Sequence, residues 1–304
     1  MSKELSMNVI ITGATGFVGQ NLSKYLQSQN HHVQALSLRN SWVLAKDSDA
    51  IIHLAGKAHD TANTSSEEEY FKVNRDLTIQ LFEEFLNSNC RDFFYFSSVK
   101  ATADTIDGVL DENYISNPKT PYGKSKLEAE KYLLSQKLPE NKRLFIIRPC
   151  MIHGPGNKGN LNLLFKVVEK GIPWPLAGFE NKRSFLSIDN LNFLMGKMLL
   201  KEELPSGIYN FADDKSISTN ELISTVNAAL GKKARLWKIS KNRIEKFAAF
   251  GDKLRLPLNS ERLKKLTESY VVSNQKIKGG LGIEKLPLSA EEGLIKTIKS
   301  FKTK

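Results

Sequence analysis

The chain has 304 residues, 40% hydrophobic and 25% charged, with 19 Gly and 10 Pro, which suits one large α/β domain or two modest ones and excludes disulfide scaffolds, collagen and disorder. Lys and Arg number 44 against 33 Asp and Glu, a net charge of +11. That excess favours a polyanionic partner such as nucleic acid, a membrane surface or a phosphorylated small molecule, or else a solvated Lys-rich face.

Residues 7–12 form an apolar run that reads as a buried parallel strand and leads straight into a glycine motif, so a first strand is expected here rather than a signal peptide. Residues 17–29 place Phe17, Val18, Leu22, Tyr25 and Leu26 on one helical face. Residues 32–38 alternate as a second strand, 49–55 (DAIIHLA) read as a third, 67–87 as a long helix, and 92–98 (DFFYFSS) as another strand. Pro121 can open a helix that runs to residue 136, and 143–148 (RLFIIR) is a strand ended by Pro149. This alternation predicts an α/β fold built on a Rossmann-type doubly wound parallel sheet. Beyond it, helices are expected at 161–170 and 189–200 and near 219–230, 241–250 and 290–300. Residues 1–150 are thus expected to form the nucleotide-binding domain. Residues 151–304 are expected to form a smaller, mainly substrate-binding domain able to return segments to the first. Cys90 and Cys150 show no CxxC spacing and suit a reducing, cytoplasmic compartment. No apolar run approaches the ~18 residues of a transmembrane span. His31, His32, His53, His59 and His153 lack metal-ligand spacing, so no metal is expected.

Two motifs carry chemistry. TGATGFVG, residues 12–19, follows a strand and opens a helix. Glycines at 13, 16 and 19 permit a tight turn, close approach of backbone to a pyrophosphate, and tight strand–helix packing. The alternative is a merely structural turn. In YGKSK, Tyr122 and Lys126 share one helical face. A neighbouring ammonium is expected to lower the phenol pKa towards neutrality and make Tyr122 a general acid/base. Such a pair is commonly a surface contact, but here it follows a glycine loop and a strand ending in Ser97 and Ser98.

Together these motifs resemble the extended short-chain dehydrogenase/reductases, the NAD-dependent epimerase/dehydratase family. TGATGFVG is similar to its cofactor loop, FSS to its catalytic-serine strand and YGKSK to its YxxxK pair, while DAIIHLAG, RPCMIHGPG and RSFLSIDNL match further landmarks. Within the family, SSVKA, PYGKSKLEAE and ENKRSFLSIDNL look most like bacterial enzymes acting at C4 of UDP-linked 4-keto-6-deoxy-N-acetylhexosamines, or like UDP-hexose 4-epimerases.

The resemblance implies that Gly13, Thr15, Gly16, Phe17, Val18, Gly19, Leu54 and Ala55 bind the cofactor. It implies that Lys126 holds the nicotinamide ribose and that Tyr122 exchanges a proton with the sugar C4 oxygen. Ser98 would hydrogen-bond the same oxygen; Ser97 is the neighbouring choice, because strand alternation lets only one face the cofactor. Asn74 matches an asparagine near the active site, or is an exposed polar residue of its helix. Arg183 and Arg262 match two arginines that grip the UDP diphosphate, or make surface salt bridges. The family also pairs subunits through the helices at 67–88 and 122–136, which implies a homodimer. A UDP-linked sugar is then the expected partner, and nucleic acid is not.

The sequence departs from the family at three places. NAD-preferring members end the second strand with a carboxylate, where this chain has Ser37. Arg39 is near enough to pair with a 2′-phosphate or is simply solvated, so NADP is expected over NAD, with NAD an alternative. An epimerase commonly retains NAD, whereas a net reductase draws on exchangeable NADPH. The expectation is therefore an NADPH-dependent reductase; a UDP-hexose 4-epimerase with tightly bound NAD is the alternative, ahead of a non-catalytic NADP-binding or RNA-binding protein. The short stretch after Arg39 implies that an edge strand is missing or reduced to a turn. Ala101-Thr102-Ala103 replaces a V-Y-G or V-N-G sequence that lines the sugar pocket in relatives.

Overall fold

The computed structural model describes residues 6–57, 66–157, 160–254 and 259–301; His59 lies outside them. In chain order the first half contains β1 (Asn8–Thr12), α1 (Phe17–Ser28), β2 (His32–Leu36), β3 (Ala50–His53), α2 (Glu67–Phe71), α3 (Leu77–Leu86), β4 (Asp92–Phe96), β5 (Val109–Leu110), α4 (Pro121–Ser135) and β6 (Arg143–Pro149). The second half contains β7 (Met151–His153), α5 (Asn160–Glu169), β8 (Phe185–Ser187), α6 (Ile188–Leu200), β9 (Gly207–Phe211), α7 (Thr219–Ala229), α8 (Lys241–Leu254), α9 (Ser260–Thr267), β10 (Val271–Val272), α10 (Gln275–Leu281) and α11 (Ala290–Phe301).

Six parallel strands make the main sheet in the order β2-β1-β3-β4-β6-β9. Every residue of β3 and β4 is buried, as a parallel sheet covered on both faces requires, and this accounts for their continuous apolar runs. On one face Leu22 and Leu26 of α1 and Leu191, Leu194 and Met195 of α6 pack against the sheet. On the other, Leu81, Phe82 and Phe85 of α3 and Ala129 and Leu133 of α4 meet Phe93 and Tyr95. Each fully buried Leu or Phe contributes about 1.5–3 kcal/mol. A further apolar cluster joins Trp174, Leu176 and Phe185 to α7 and α11.

The sheet draws on both halves of the chain: β9 pairs with β6, aligning Pro149 with Phe211. Among the described residues no strand lies outside β2. Residues 37–49 form neither helix nor strand, and Leu38 is buried with Trp42 and Leu44 packed against its cluster. The missing strand is thus replaced by an irregular segment folded onto the core.

Three local features differ from the sequence reading. The helix expected over 67–87 is interrupted by a π-helical turn, Lys72–Asp76, in which the Leu77 amide donates to the Lys72 carbonyl five residues back. The strand expected to reach Ser98 ends at Phe96, and Ser98 caps a 3₁₀ turn, Val99–Ala101. The second half contains β7 to β10, which the sequence reading passed over. Cys90 and Cys150 are buried free thiols, and burial pushes Cys90 up to about 12. No helix among the described residues is long and apolar enough to cross a membrane.

Candidate active site

The glycine loop leaves β1 at its C-terminal end. Gly13 has φ +68°, and a Cβ there would lie 2.7 Å from the Ala55 amide nitrogen. Only glycine lets this loop pass the Leu54–Ala55 backbone so closely. A Cβ on Gly19 would lie 2.6 Å from the Ala14 Cα, so this glycine is what seats α1 against the turn. Gly16 is the N-cap of α1, with no side-chain cap and no acidic residue in the first turn. The first-turn amides therefore point outwards with nothing to repel an anion. Thr15 and Gly16 are exposed, and Phe17 and Val18 are half-buried beside them. These features fit a dinucleotide pyrophosphate.

The two serines part company. Ser97 Oγ donates to Glu130 Oε1, and that carboxylate also accepts from Arg148 Nε at 3.0 Å. Both members of this ion pair are buried, with side-chain exposures of 1% and 3%. Ser98 instead hydrogen-bonds the Tyr122 phenol and accepts from the Lys100 amide at 3.1 Å. Alternation along the chain thus commits Ser97 to the α4 core and Ser98 to Tyr122.

Tyr122 lies in the first turn of α4. The Thr120 side chain caps that helix and Pro121 is at its first position. Asp104 anchors the same end by accepting from Thr120 Oγ1 at 3.1 Å and from the Lys119 amide at 2.6 Å. Gly123 lets α4 approach the serine turn, since a Cβ there would run into the Lys100 carbonyl oxygen and sit 2.8 Å from Pro118. Burial pushes the Tyr122 phenol up from its ordinary value, with the Ser98 bond opposing the shift. This is opposite to the lowering expected from Lys126, because desolvation dominates. Lys126 is itself buried, which brings its ammonium down to about 8. Its Nζ donates to the Phe96 carbonyl at 2.8 Å and lies 4.8 Å from the Tyr95 ring centroid.

Behind this pair lies a network that the sequence reading missed. Asn74, fully buried in the π-helical turn, accepts from the Lys57 amide at 2.7 Å and donates to the Lys57 carbonyl and to Ser125 Oγ, each at 3.1 Å. Its amide is thus engaged with the loop after β3 and with α4. Thr78 Oγ1 donates to the Asn74 carbonyl at 2.9 Å. Burial takes His53 down to about 3, so its ring is neutral, with one donor and one acceptor. Because the Thr78 proton goes to Asn74, His53 Nε2 donates to Thr78 at 2.9 Å and Nδ1 accepts from Thr12 Oγ1 at 2.7 Å. Thr12 in turn accepts from the Ala55 amide at 3.1 Å. The chain runs unbroken from the glycine loop to the helix that holds Asn74. Its only side chain singled out in the sequence as a site residue was that of Asn74, read either as an asparagine near the active site or as an exposed polar residue, and the structure buries it.

A family model described as the NAD dependent epimerase/dehydratase family matches residues 9–212. The chain belongs to that family. It is 28% identical to a UDP-glucose 4-epimerase of Vibrio cholerae over 326 aligned positions, covering 98% of this chain and 97% of that one. It is also 28% identical to a GDP-6-deoxy-D-mannose reductase of Pseudomonas aeruginosa over 240 positions, covering 72% and 79%. The structure of RMD from Pseudomonas aeruginosa complexed with NADPH shares the fold, with a TM-score of 0.72 at 19% identity over 98% of this chain and 100% of that one.

The three arginines singled out in this epimerase/dehydratase-family sequence stand on three different segments. Arg39 is exposed just beyond the end of the edge strand β2. Arg183 is half-buried, held by backbone bonds with Ile217 at 2.9 and 2.8 Å, and burial lowers its guanidinium pKa against the attraction of Glu268. Arg262 is exposed in the first turn of α9. The bridge from Arg183 to Tyr270 ties the segment of Arg183 to the chain just after α9.

Proposed function

We propose that the protein is an NADPH-dependent reductase acting on the C4 ketone of a UDP-4-keto-6-deoxy-N-acetylhexosamine. In this reading residues 1–150 hold chiefly the cofactor, and residues 151–304 chiefly the sugar nucleotide while lending β9 to the sheet. The glycine loop with Thr15, Phe17 and Val18, Leu54 and Ala55, and Lys126 would hold the dinucleotide, with Arg39 at the 2′-phosphate. When bound, the cofactor supplies the hydride. Tyr122 supplies the proton to the C4 oxygen, Ser98 orients that oxygen, and Arg183 and Arg262 grip the diphosphate. Asn74 acts as a positioning residue through Lys57 and Ser125. We also propose a homodimer that pairs α2, α3 and α4 with their counterparts.

One observation carries the reductase reading over its rival. At the end of β2 the exposed Arg39 stands two residues after Ser37, where NAD-preferring members have a carboxylate, so a 2′-phosphate meets a guanidinium and no repelling charge, which favours exchangeable NADPH. A 4-epimerase with retained NAD is the second reading, favoured by the match to the Vibrio cholerae enzyme along nearly the whole chain. Tyr122→Phe tests the role: loss of a general acid should lower turnover by about 10²- to 10⁴-fold with NADPH binding unchanged. Undiminished turnover would refute it.

A further inference from the structure

Residues 232–265 hold twelve Lys and Arg against three Asp and Glu, and so carry nine of the eleven net positive charges of the chain. Among them Lys232, Lys233, Arg235, Lys238, Lys246 and Lys253 are all exposed. The same segment displays Trp237, Phe247, Phe250 and Leu254, each more than half exposed.

The helix α8 organises these residues into faces. Ile244, Ala248 and Gly251, spaced four and three apart, are its buried side. Phe247, Phe250 and Leu254, spaced three and four apart, form a second stripe beside it that faces solvent. At 3.6 residues per turn, Arg243 falls on this stripe and Lys246 and Lys253 along its outer flank, whereas Glu245 and Asp252 fall on the opposite side of the helix. A soluble helix ordinarily buries its aromatic stripe. Here it is displayed within the most basic stretch of the molecule.

We propose that α8 and the preceding Trp237 segment form a docking surface for an anionic lipid bilayer. A short helix with an aromatic and aliphatic stripe flanked by Lys and Arg lies in the plane of the interface, its apolar side chains among the acyl chains and its cations at acidic headgroups. Charge complementarity selects this occupant. A second copy of the chain would bring the same cations together across the contact, and RNA would meet the charges while leaving the Leu254 end of the stripe in water. Because α8 packs against α9, docking would hold the helix that carries Arg262 close to the bilayer.

The proposal does not depend on the reductase reading, and its test needs no turnover. Full-length protein is sedimented with phosphatidylcholine vesicles containing about one third phosphatidylglycerol, and with pure phosphatidylcholine vesicles, at low and at about 0.5 M salt. The expected result is cosedimentation with the acidic vesicles only, weakened by salt. Phe247→Ser/Phe250→Ser should lower the partition coefficient at least ~10-fold, and Lys246→Gln/Lys253→Gln should reduce it while flattening the salt dependence. Unchanged circular dichroism and NADPH binding would show that both variants are folded. The proposal is overturned if wild type stays in the supernatant with both vesicle types, or if the aromatic variant sediments as wild type does. It is equally overturned if the stripe supports only a concentration-dependent dimer, or only binding to a single-stranded RNA oligomer.

Discussion

The buried Glu130–Arg148 pair offers a demanding test of the site's architecture. Arg148 donates to both carboxylate oxygens of Glu130, and Ser97 adds a third donor. Arg148→Met would leave the carboxylate dry with only the Ser97 hydroxyl to satisfy it. Stranding one member of a buried pair costs about 3–5 kcal/mol, a large share of the ~5–15 kcal/mol that holds a typical domain together. The double variant Arg148→Met/Glu130→Met strands neither partner of the pair; it leaves the Ser97 hydroxyl unpaired, at about 1–3 kcal/mol, and removes the long 3.5 Å contact of Arg148 with the Ser116 hydroxyl. Equilibrium urea unfolding followed by tryptophan fluorescence should therefore show the double variant to be more stable than Arg148→Met alone. An Arg148→Met protein within ~1 kcal/mol of wild type at neutral pH, or a double variant that is no more stable, would refute the reasoning.

Arg39→Ala should weaken NADPH binding by about 10- to 100-fold, the worth of a charge-assisted hydrogen bond, with NADH binding unchanged; fluorescence titration with both cofactors reads this directly, and equal losses would remove Arg39 from the 2′-phosphate. Lys126 gives a pH signature. Its ammonium is brought from an ordinary 10.5 to about 8, so between those values the unfolded chain holds a proton that the folded one lacks. Relative to Lys126→Met, wild-type stability should thus rise with pH across that window, by at most ~1.4 kcal/mol per unit, with the burial penalty fully felt below 8. A difference that is flat with pH would contradict the burial of the ammonium.

Much of the site was legible where its requirement is local. Gly13 and Gly19 are dictated by a turn and by a backbone approach that no other residue survives, and Tyr122 and Lys126 by one turn of helix. What escaped depends on contacts distant in sequence. The choice between Ser97 and Ser98 rests on Glu130 and Arg148, from a helix and a strand that follow much later. The π-helical turn at Asn74 is supported by Lys57 and Ser125, neither of which lies on its helix. β9 is five residues long and becomes a strand only because β6 offers it an edge. The phenol pKa was misjudged because an ammonium four residues away is visible in sequence, whereas the burial that outweighs it is not.

The most direct test of the reductase reading is to supply NADPH deuterated at the transferable C4 position together with UDP-4-keto-6-deoxy-N-acetylglucosamine, and to follow the product by NMR. The account predicts stoichiometric NADPH consumption, with deuterium at C4 of the reduced sugar. Absence of cofactor consumption, together with interconversion of UDP-hexose C4 epimers by the protein as purified, would contradict it and establish the epimerase.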